Sequence, residues 1–311
     1  MAPTRRDFVA TTAVAALAAS LGRPERLLAW QAQAARATFT PIRRNVGFFT
    51  MRGGTIGWLV NPGAVVVVDS QFPAEATACL QGLNERSGNR PVDALINTHH
   101  HGDHTGGNLS FRGAARRVVA HTMADQHMRR APGGAAPGGS ASADQLFPDT
   151  TFSHSWAADL GDERVMVRHH GRAHTSGDVV ITFERANVVH MGDLMFHQRH
   201  PVVDRAAGAQ MRNWMRVLDQ VATDHVADTV FIFGHANTNL PVTGSRADLH
   251  RFRDYLGAVL GLVETQVQAG KSREEILAMR EPLPGFEAFG RFGNPGPRDA
   301  LTCAYEEVVG G

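Results

Sequence analysis

The 311 residues are 43% hydrophobic and 20% charged, enough to bury a large core in one α/β domain or in two small ones. A formal net charge of +1 excludes the basic footprint of a nucleic-acid binder. Two distant cysteines, Cys79 and Cys303, exclude a disulfide framework and a Cys-x-x-Cys metal site; they either form one bridge or stay as two buried thiols.

The chain opens on what reads as an address. Arg5 and Arg6 precede Phe8 and an alanine-rich apolar run over 9–21. That run is too short to span a bilayer comfortably. It has the basic start, apolar middle and later small residues of a secretory signal, and the arginine pair resembles a twin-arginine export signal. An amphipathic first helix of the domain would need a polar face that the run lacks. Ala32-Gln33-Ala34 and Ala35-Arg36-Ala37 both offer a cleavage pattern. Residues 1–37 are therefore read as an export signal, and 38–311 as a single periplasmic domain with no stable membrane anchor after cleavage.

Short β-branched runs at 55–60, 64–69, 92–97, 116–121, 164–169, 178–183, 187–192 and 228–234 predict strands. Arg52-Gly53-Gly54 predicts a hairpin turn between 46–51 and 55–60. Helical stretches fall at 73–86, 122–130, 210–222, 245–268 and 272–279, the last opening on a capping box of Ser272 and Glu275. The Gly/Ala/Pro-rich segment 131–143 predicts a mobile surface loop. Strands and helices mix throughout with no long linker, so the expected architecture is two sheets covered by helices.

The run "THHHGDHTGGN" follows the strand predicted at 92–97 and contains His99, His101, Asp103 and His104 in the pattern His-x-His-x-Asp-His. Imidazole nitrogen and carboxylate oxygen suit zinc and related divalent ions. His99 and His101, two apart, can chelate one ion, whereas Asp103 and His104 are adjacent and require a bend. That spacing fits two neighbouring ions better than one. His100 is expected to point away in a structural or orienting role. Further donors stand behind later strands: His174 after 164–169, Asp193 after 187–192 and His235 after 228–234. Alone, each reads as a core residue or a helix cap. Together with the motif they predict a metal centre, and most of the 16 histidines remain ordinary.

These residues, in this order, resemble the metallo-β-lactamase superfamily. The resemblance implies an α/β fold, a four-layer αββα sandwich with the metals at one edge of its two sheets. It implies His99, His101 and His174 around a first ion, Asp103, His104 and His235 around a second, and Asp193 bridging them. The implied cofactor is two Zn2+ per chain, with iron or manganese as substitutes. Aspartate at 193 is similar to glyoxalase II-type hydrolases and lactonases, whereas β-lactamases proper tend to carry Cys or Ser there. The arrangement of Asp193, Phe196, His200, Pro201, Asp204 and Trp214 looks like a group of exported metal-dependent hydrolases.

The activity implied is hydrolysis of an acyl bond (thioester, lactone, ester or amide) in a small molecule. A hydroxide shared by the two ions would attack, with Asp103 orienting it. Three alternatives stand beside it. β-Lactam hydrolysis is disfavoured by Asp193. An iron-dependent persulfide dioxygenase is disfavoured by the complete seven-residue ligand set. A non-catalytic metal-binding protein is disfavoured by the intact Asp103. No G-x-S-x-G nucleophile is present in the sequence. Thr98, Thr175 and Asp69 either orient ligands or cap strand ends. Phe49 and Met51 on a hairpin flap, and His200, are the candidate substrate contacts. His197, Arg199 and Arg205 either meet an anionic group or face solvent. Trp58 and Trp214 read as core. Lys271, Arg273, Arg280 and Arg291 make no glutathione pattern.

Overall fold

A computed structural model describes residues 37–130 and 145–310. Residues 1–36, within the segment read as an export signal, and the loop expected at 131–143 lie outside the described residues. The first sheet holds β1 (Thr38–Arg43), β2 (Val46–Thr50), β3 (Ile56–Asn61), β4 (Ala64–Val68), β5 (Ala94–Ile96), β6 (Val118–His121) and β7 (Thr150–Phe152), side by side in chain order. β2 pairs antiparallel with β3 across the expected hairpin, while β4, β5 and β6 run parallel. All five residues of β4 are buried, as a strand covered on both faces requires.

The second sheet contains β8 (Ser155–Leu160), β9 (Glu163–Arg168), β10 (Val180–Phe183) and β11 (Val188–His190). A short β12 (Phe196–His197) leaves it before β13 (Val230–Ile232) returns. β14 (His235–Ala236) pairs with β12, and β15 (Thr243–Gly244) closes the second sheet beside β13. β8 alternates exposed and half-buried residues, the mark of one wet face.

Seven helices are described: α1 (Pro73–Ser87), α2 (Gly102–Thr105), α3 (Thr122–Arg130), α4 (Met211–Asp224), α5 (Arg246–Gln268), α6 (Arg273–Leu277) and α7 (Ala300–Val309). Val66, Val68 and Ile96 of the first sheet share one buried cluster with Val167, Ile181 and Phe183 of the second, so the sheets face each other. On the far side of the second sheet, Val189 and Phe231 pack with Trp214, Leu218 and Val221 of α4 and with Phe252 and Leu256 of α5. The buried residues of α4 recur at helical spacing, which gives it one apolar face. α1 contacts β3 and buries Ala76, Cys79 and Leu83. The order helix, sheet, sheet, helix is the four-layer sandwich expected. Cys79 and Cys303 are both buried and unpaired, which selects the two-thiol reading. Among the described residues, no helix is long and apolar enough to cross a membrane.

This architecture brings four strand ends to one edge. β4 leads to Asp69, β5 to the histidine motif, β11 to Asp193 and β13 to His235. Loops leaving such a rigid edge are where side chains can converge.

Candidate metal centre

His99 Nε2 lies 3.0 Å from His101 Nδ1, and His174 Nε2 lies 2.9 Å from the same atom. Asp193 Oδ2 is 3.9 Å from His99 Nε2 and 3.6 Å from His174 Nε2. All four side chains are buried. The opposite nitrogen of each ring is committed as a donor. His99 Nδ1–H donates to Thr98 Oγ1 at 3.0 Å, His174 Nδ1–H to the Val202 carbonyl at 2.7 Å, and His101 Nε2–H to Asp204 Oδ2 at 2.9 Å. Three imidazole lone pairs therefore face one point. Burial first, and then neighbouring histidines, pull His174 down to about 3; burial and the His104 charge pull His99 well below the ordinary histidine value. Neutral rings converging in this way repel unless a cation lies between them, so the donor set fits a divalent metal.

Beside this set lies a second. Asp103 Oδ2 is 3.1 Å from His235 Nε2 and 3.8 Å from His104 Nε2. The two histidine nitrogens are 3.4 Å apart. Asp193 Oδ1 completes the group, 3.0 Å from His104 Nε2 and 3.4 Å from His235 Nε2. Each oxygen of Asp193 thus serves one donor set, and Oδ1 is buried without a hydrogen-bond partner, which leaves it available to a cation. Burial disfavours charge on His235, but Asp193 and Asp103 outweigh it and lift the ring to about 9. His104 is likewise held well above its ordinary value, against burial, by Asp193, Asp103 and Asp69. Burial would raise Asp103 and Asp193; His104 and His235 outweigh it and keep both carboxylates below their usual range. Positive charge belongs between these groups, and here too the donors fit a divalent cation.

The supporting shell is tight. Asp69 Oδ2 accepts from His104 Nδ1 at 2.7 Å and from the Thr98 hydroxyl at 2.7 Å. A Cβ on Gly54 would stand 2.1 Å from His104 Cε1, so the hairpin tip lies against that ring. Gly54 N–H also donates to the Asp103 carbonyl at 3.0 Å.

All seven expected ligand residues are therefore brought together, and Asp69 and Thr98 orient two of them. Thr175 does not: its N–H and hydroxyl donate to Asp178 at 2.7 and 2.6 Å, closing the turn behind His174. Burial pushes that Asp178 carboxyl up to about 6. His100 is not turned away. Its Nε2 lies 3.8 Å from Asp204 Oδ2, and its ring is 4.7 Å from that of His127. His100, His101 and Asp204 are close enough to hold an ion. However, Asp204 Oδ2 already accepts from His101 and is ion-paired with Arg298 at 2.9 Å. This carboxylate orients; burial would raise it, but His101 and Arg298 hold it below the usual range.

The substrate-contact expectations need correction. Phe49 is wholly buried, with its ring 4.7 Å from Phe39, because strand alternation turns it into the core. His200 accepts from the Tyr255 hydroxyl, donates to the Arg291 carbonyl at 2.9 Å and stacks on Phe292, so its nitrogens are committed to α5 and the C-terminal segment. Met51 is half-buried at the hairpin tip. Trp214 is core, as expected. The orienting groups overlooked are the Val202 carbonyl, Asp204 and Arg298. The His200-Pro201-x-x-Asp204 pattern pointed to one of them; no local pattern marks Arg298.

The model of the metallo-beta-lactamase superfamily matches residues 50–235. Hydroxyacylglutathione hydrolase of Methylococcus capsulatus is 33% identical over 134 residues, 43% of this chain and 44% of that protein. The match thus spans less than half of the relative. Among solved structures, a double mutant of the sec-alkyl sulfatase PisA1 superposes with a TM-score of 0.66 at 16% identity, covering 90% of this chain and 52% of that one. A metallo-beta-lactamase from Pontibacter korlensis superposes with a TM-score of 0.56 at 18% identity, covering 71% of this chain and 99% of that one. Likeness at such identities establishes a shared fold alone.

Proposed function

Because this chain belongs to the metallo-beta-lactamase superfamily, we propose that it is a binuclear metal-dependent hydrolase that cleaves an acyl bond of a small molecule. One observation carries the reading: two converging donor sets divide the oxygens of Asp193 between them. Two bound ions would supply a polarising Lewis acid and a water acidic enough to ionise near neutral pH. Zinc suits the nitrogen and oxygen donors, with iron or manganese as substitutes.

The chain's own residues have separate tasks. His99, His101 and His174 hold one position, and Asp103, His104 and His235 hold the other. Asp193 fixes the spacing between them. The Asp103 side chain is 27% exposed, so it stands at the mouth while His104 and Asp193 are enclosed. Held ionised, it can accept a hydrogen bond from water there and aim it at a carbonyl carbon. A thioester is the first substrate class to test, supported by the partial match to hydroxyacylglutathione hydrolase. Lactone, ester and amide bonds share the same chemistry. The Arg5–Arg6 pair and the apolar run behind it support a periplasmic location for this activity.

The test is a rate panel on the zinc-loaded protein: a thioester, a lactone, an aryl ester, a β-lactam and a phosphodiester, each with and without chelator. Fast, chelator-sensitive turnover of one acyl substrate supports the proposal. Turnover of the β-lactam above the others would overturn the weight placed on Asp193. No turnover of any would overturn the hydrolase reading.

A further inference from the structure

The tripeptide Val202-Val203-Asp204 grips two of the three histidines in the first donor set. The Val202 carbonyl accepts from His174 Nδ1 at 2.7 Å, and the Asp204 amide donates back to the His174 carbonyl at 3.2 Å. Asp204 Oδ2 accepts from His101 Nε2 at 2.9 Å. Small displacements of this tripeptide would therefore move two ligands at once.

Its other groups are held by a distant part of the chain. The Val203 amide donates to the Arg298 carbonyl at 3.0 Å. The Cys303 thiol, 100 positions away, donates to the Val203 carbonyl at 3.3 Å. The Arg298 guanidinium forms an ion pair with Asp204 Oδ2 at 2.9 Å, the same oxygen that receives His101. Both Arg298 and Cys303 lie beyond the residues that match the superfamily model. The side chain of Arg298 is 36% exposed, so packing alone does not account for an arginine here.

We infer that the C-terminal segment is a working part of the first metal position, with Arg298 a positioning residue that acts on His101 and His174 through Asp204 and Val202. This rests on the metal reading of the proposed function. Arg298 fixes the carboxylate that aims His101 Nδ1, and its backbone carbonyl fixes the strip that aims His174 Nε2. Losing the side chain leaves the carboxylate held only by the Ala207 amide on Oδ1 and by His101 on Oδ2, facing the histidines without its counter-charge. Outer partners of this kind typically change metal affinity by about 10–100-fold.

The experiment is cobalt(II) titration of metal-free protein, followed by the visible absorption of the bound ion. His235→Ala isolates the first position and His174→Ala the second. Arg298→Met keeps the aliphatic stem and removes the charge; Arg298→Lys restores a cation. The expected result is a first-position affinity lowered about tenfold or more in Arg298→Met. The cobalt spectrum should change, Arg298→Lys should recover part of the affinity, and the second position should be unchanged. Wild-type affinity and spectrum at the first position would overturn the inference while leaving the metal reading intact. So would equal losses at both positions with a lower melting temperature, the sign of general destabilisation. A parent protein that binds cobalt at neither position would overturn the metal reading itself, and this inference with it.

Discussion

Asp69 Oδ2 accepts His104 Nδ1–H at 2.7 Å, and the same oxygen accepts the Thr98 hydroxyl that in turn receives His99 Nδ1–H. One carboxylate therefore sets the tautomer of a ligand in each donor set. Its other oxygen accepts the Thr98 amide at 2.7 Å, so both oxygens are committed as acceptors. Asn at this position would present an N–H to one of these donors. Asp69→Asn is expected to lower affinity at both metal positions by about 10–100-fold. Competition against a chromogenic chelator checks this; loss at one position alone would show that the two sets are oriented independently.

The carboxylate shared by the two donor sets depends on a glycine. A Cβ at Gly234 would lie 2.1 Å from Asp193 Oδ1 and 2.6 Å from the Gly192 carbonyl, with backbone on one side and the carboxylate on the other. The carboxylate is the freer of the two and would swing away. Gly234→Ala should therefore reduce metal content and lower kcat/KM by about tenfold or more, as loss of ligand geometry does. The far-ultraviolet circular dichroism should stay the same. Metal analysis after dialysis, beside the rate, separates this from unfolding.

Much of the site was legible because the donors stand next to strongly patterned strands. The apolar residues of β5, β11 and β13 mark strand ends plainly, and His99, Asp193 and His235 follow those ends. The orienting groups were harder to see. Asp69 works from a left-handed backbone with φ of 65°, a conformation that no local pattern announces. Val202 acts through its carbonyl, which carries no sequence signal at all. Arg298 meets Asp204 only through tertiary packing. β8 escaped for a different reason: its outward residues include Ser155, Ala157 and Asp159, which dilute the alternation. Phe49 sits near a glycine turn, yet strand register, not proximity to the turn, decides that it faces inward.

Trp214 links stability to the site. It is fully buried, its Nε1–H donates to the Leu194 carbonyl at 3.0 Å, and its ring lies 5.5 Å from those of both His174 and Phe252. Trp214→Ala should cost about 3–5 kcal/mol through lost burial and the cavity left behind. Trp214→Phe keeps most of the apolar volume but strands the Leu194 carbonyl, for about 1–3 kcal/mol. Because Leu194 follows Asp193, the Phe variant should also bind metal less tightly. Denaturant midpoints of the metal-free proteins, compared with those of the loaded ones, test both statements.

The pH dependence follows from His235, lifted from 6.5 to about 9 by Asp193 and Asp103 against burial. The folded metal-free protein holds this proton more tightly than the unfolded chain. The ion pairs therefore contribute their full stability below pH 6.5 and lose it as pH rises through about 9. A metal at the second position must displace the same proton. Its affinity should accordingly climb with pH across the window from 6.5 to 9, by up to about tenfold per unit for this proton, and then level off. His104, also raised, steepens the slope if its proton leaves in the same step. The two trends have opposite signs: metal-free stability falls where metal affinity rises, so the stabilisation by bound metal should widen towards alkaline pH. Melting temperatures and cobalt affinities of the His174→Ala protein across that window measure both. An affinity that stays flat would mean that His235 is already neutral in the metal-free protein.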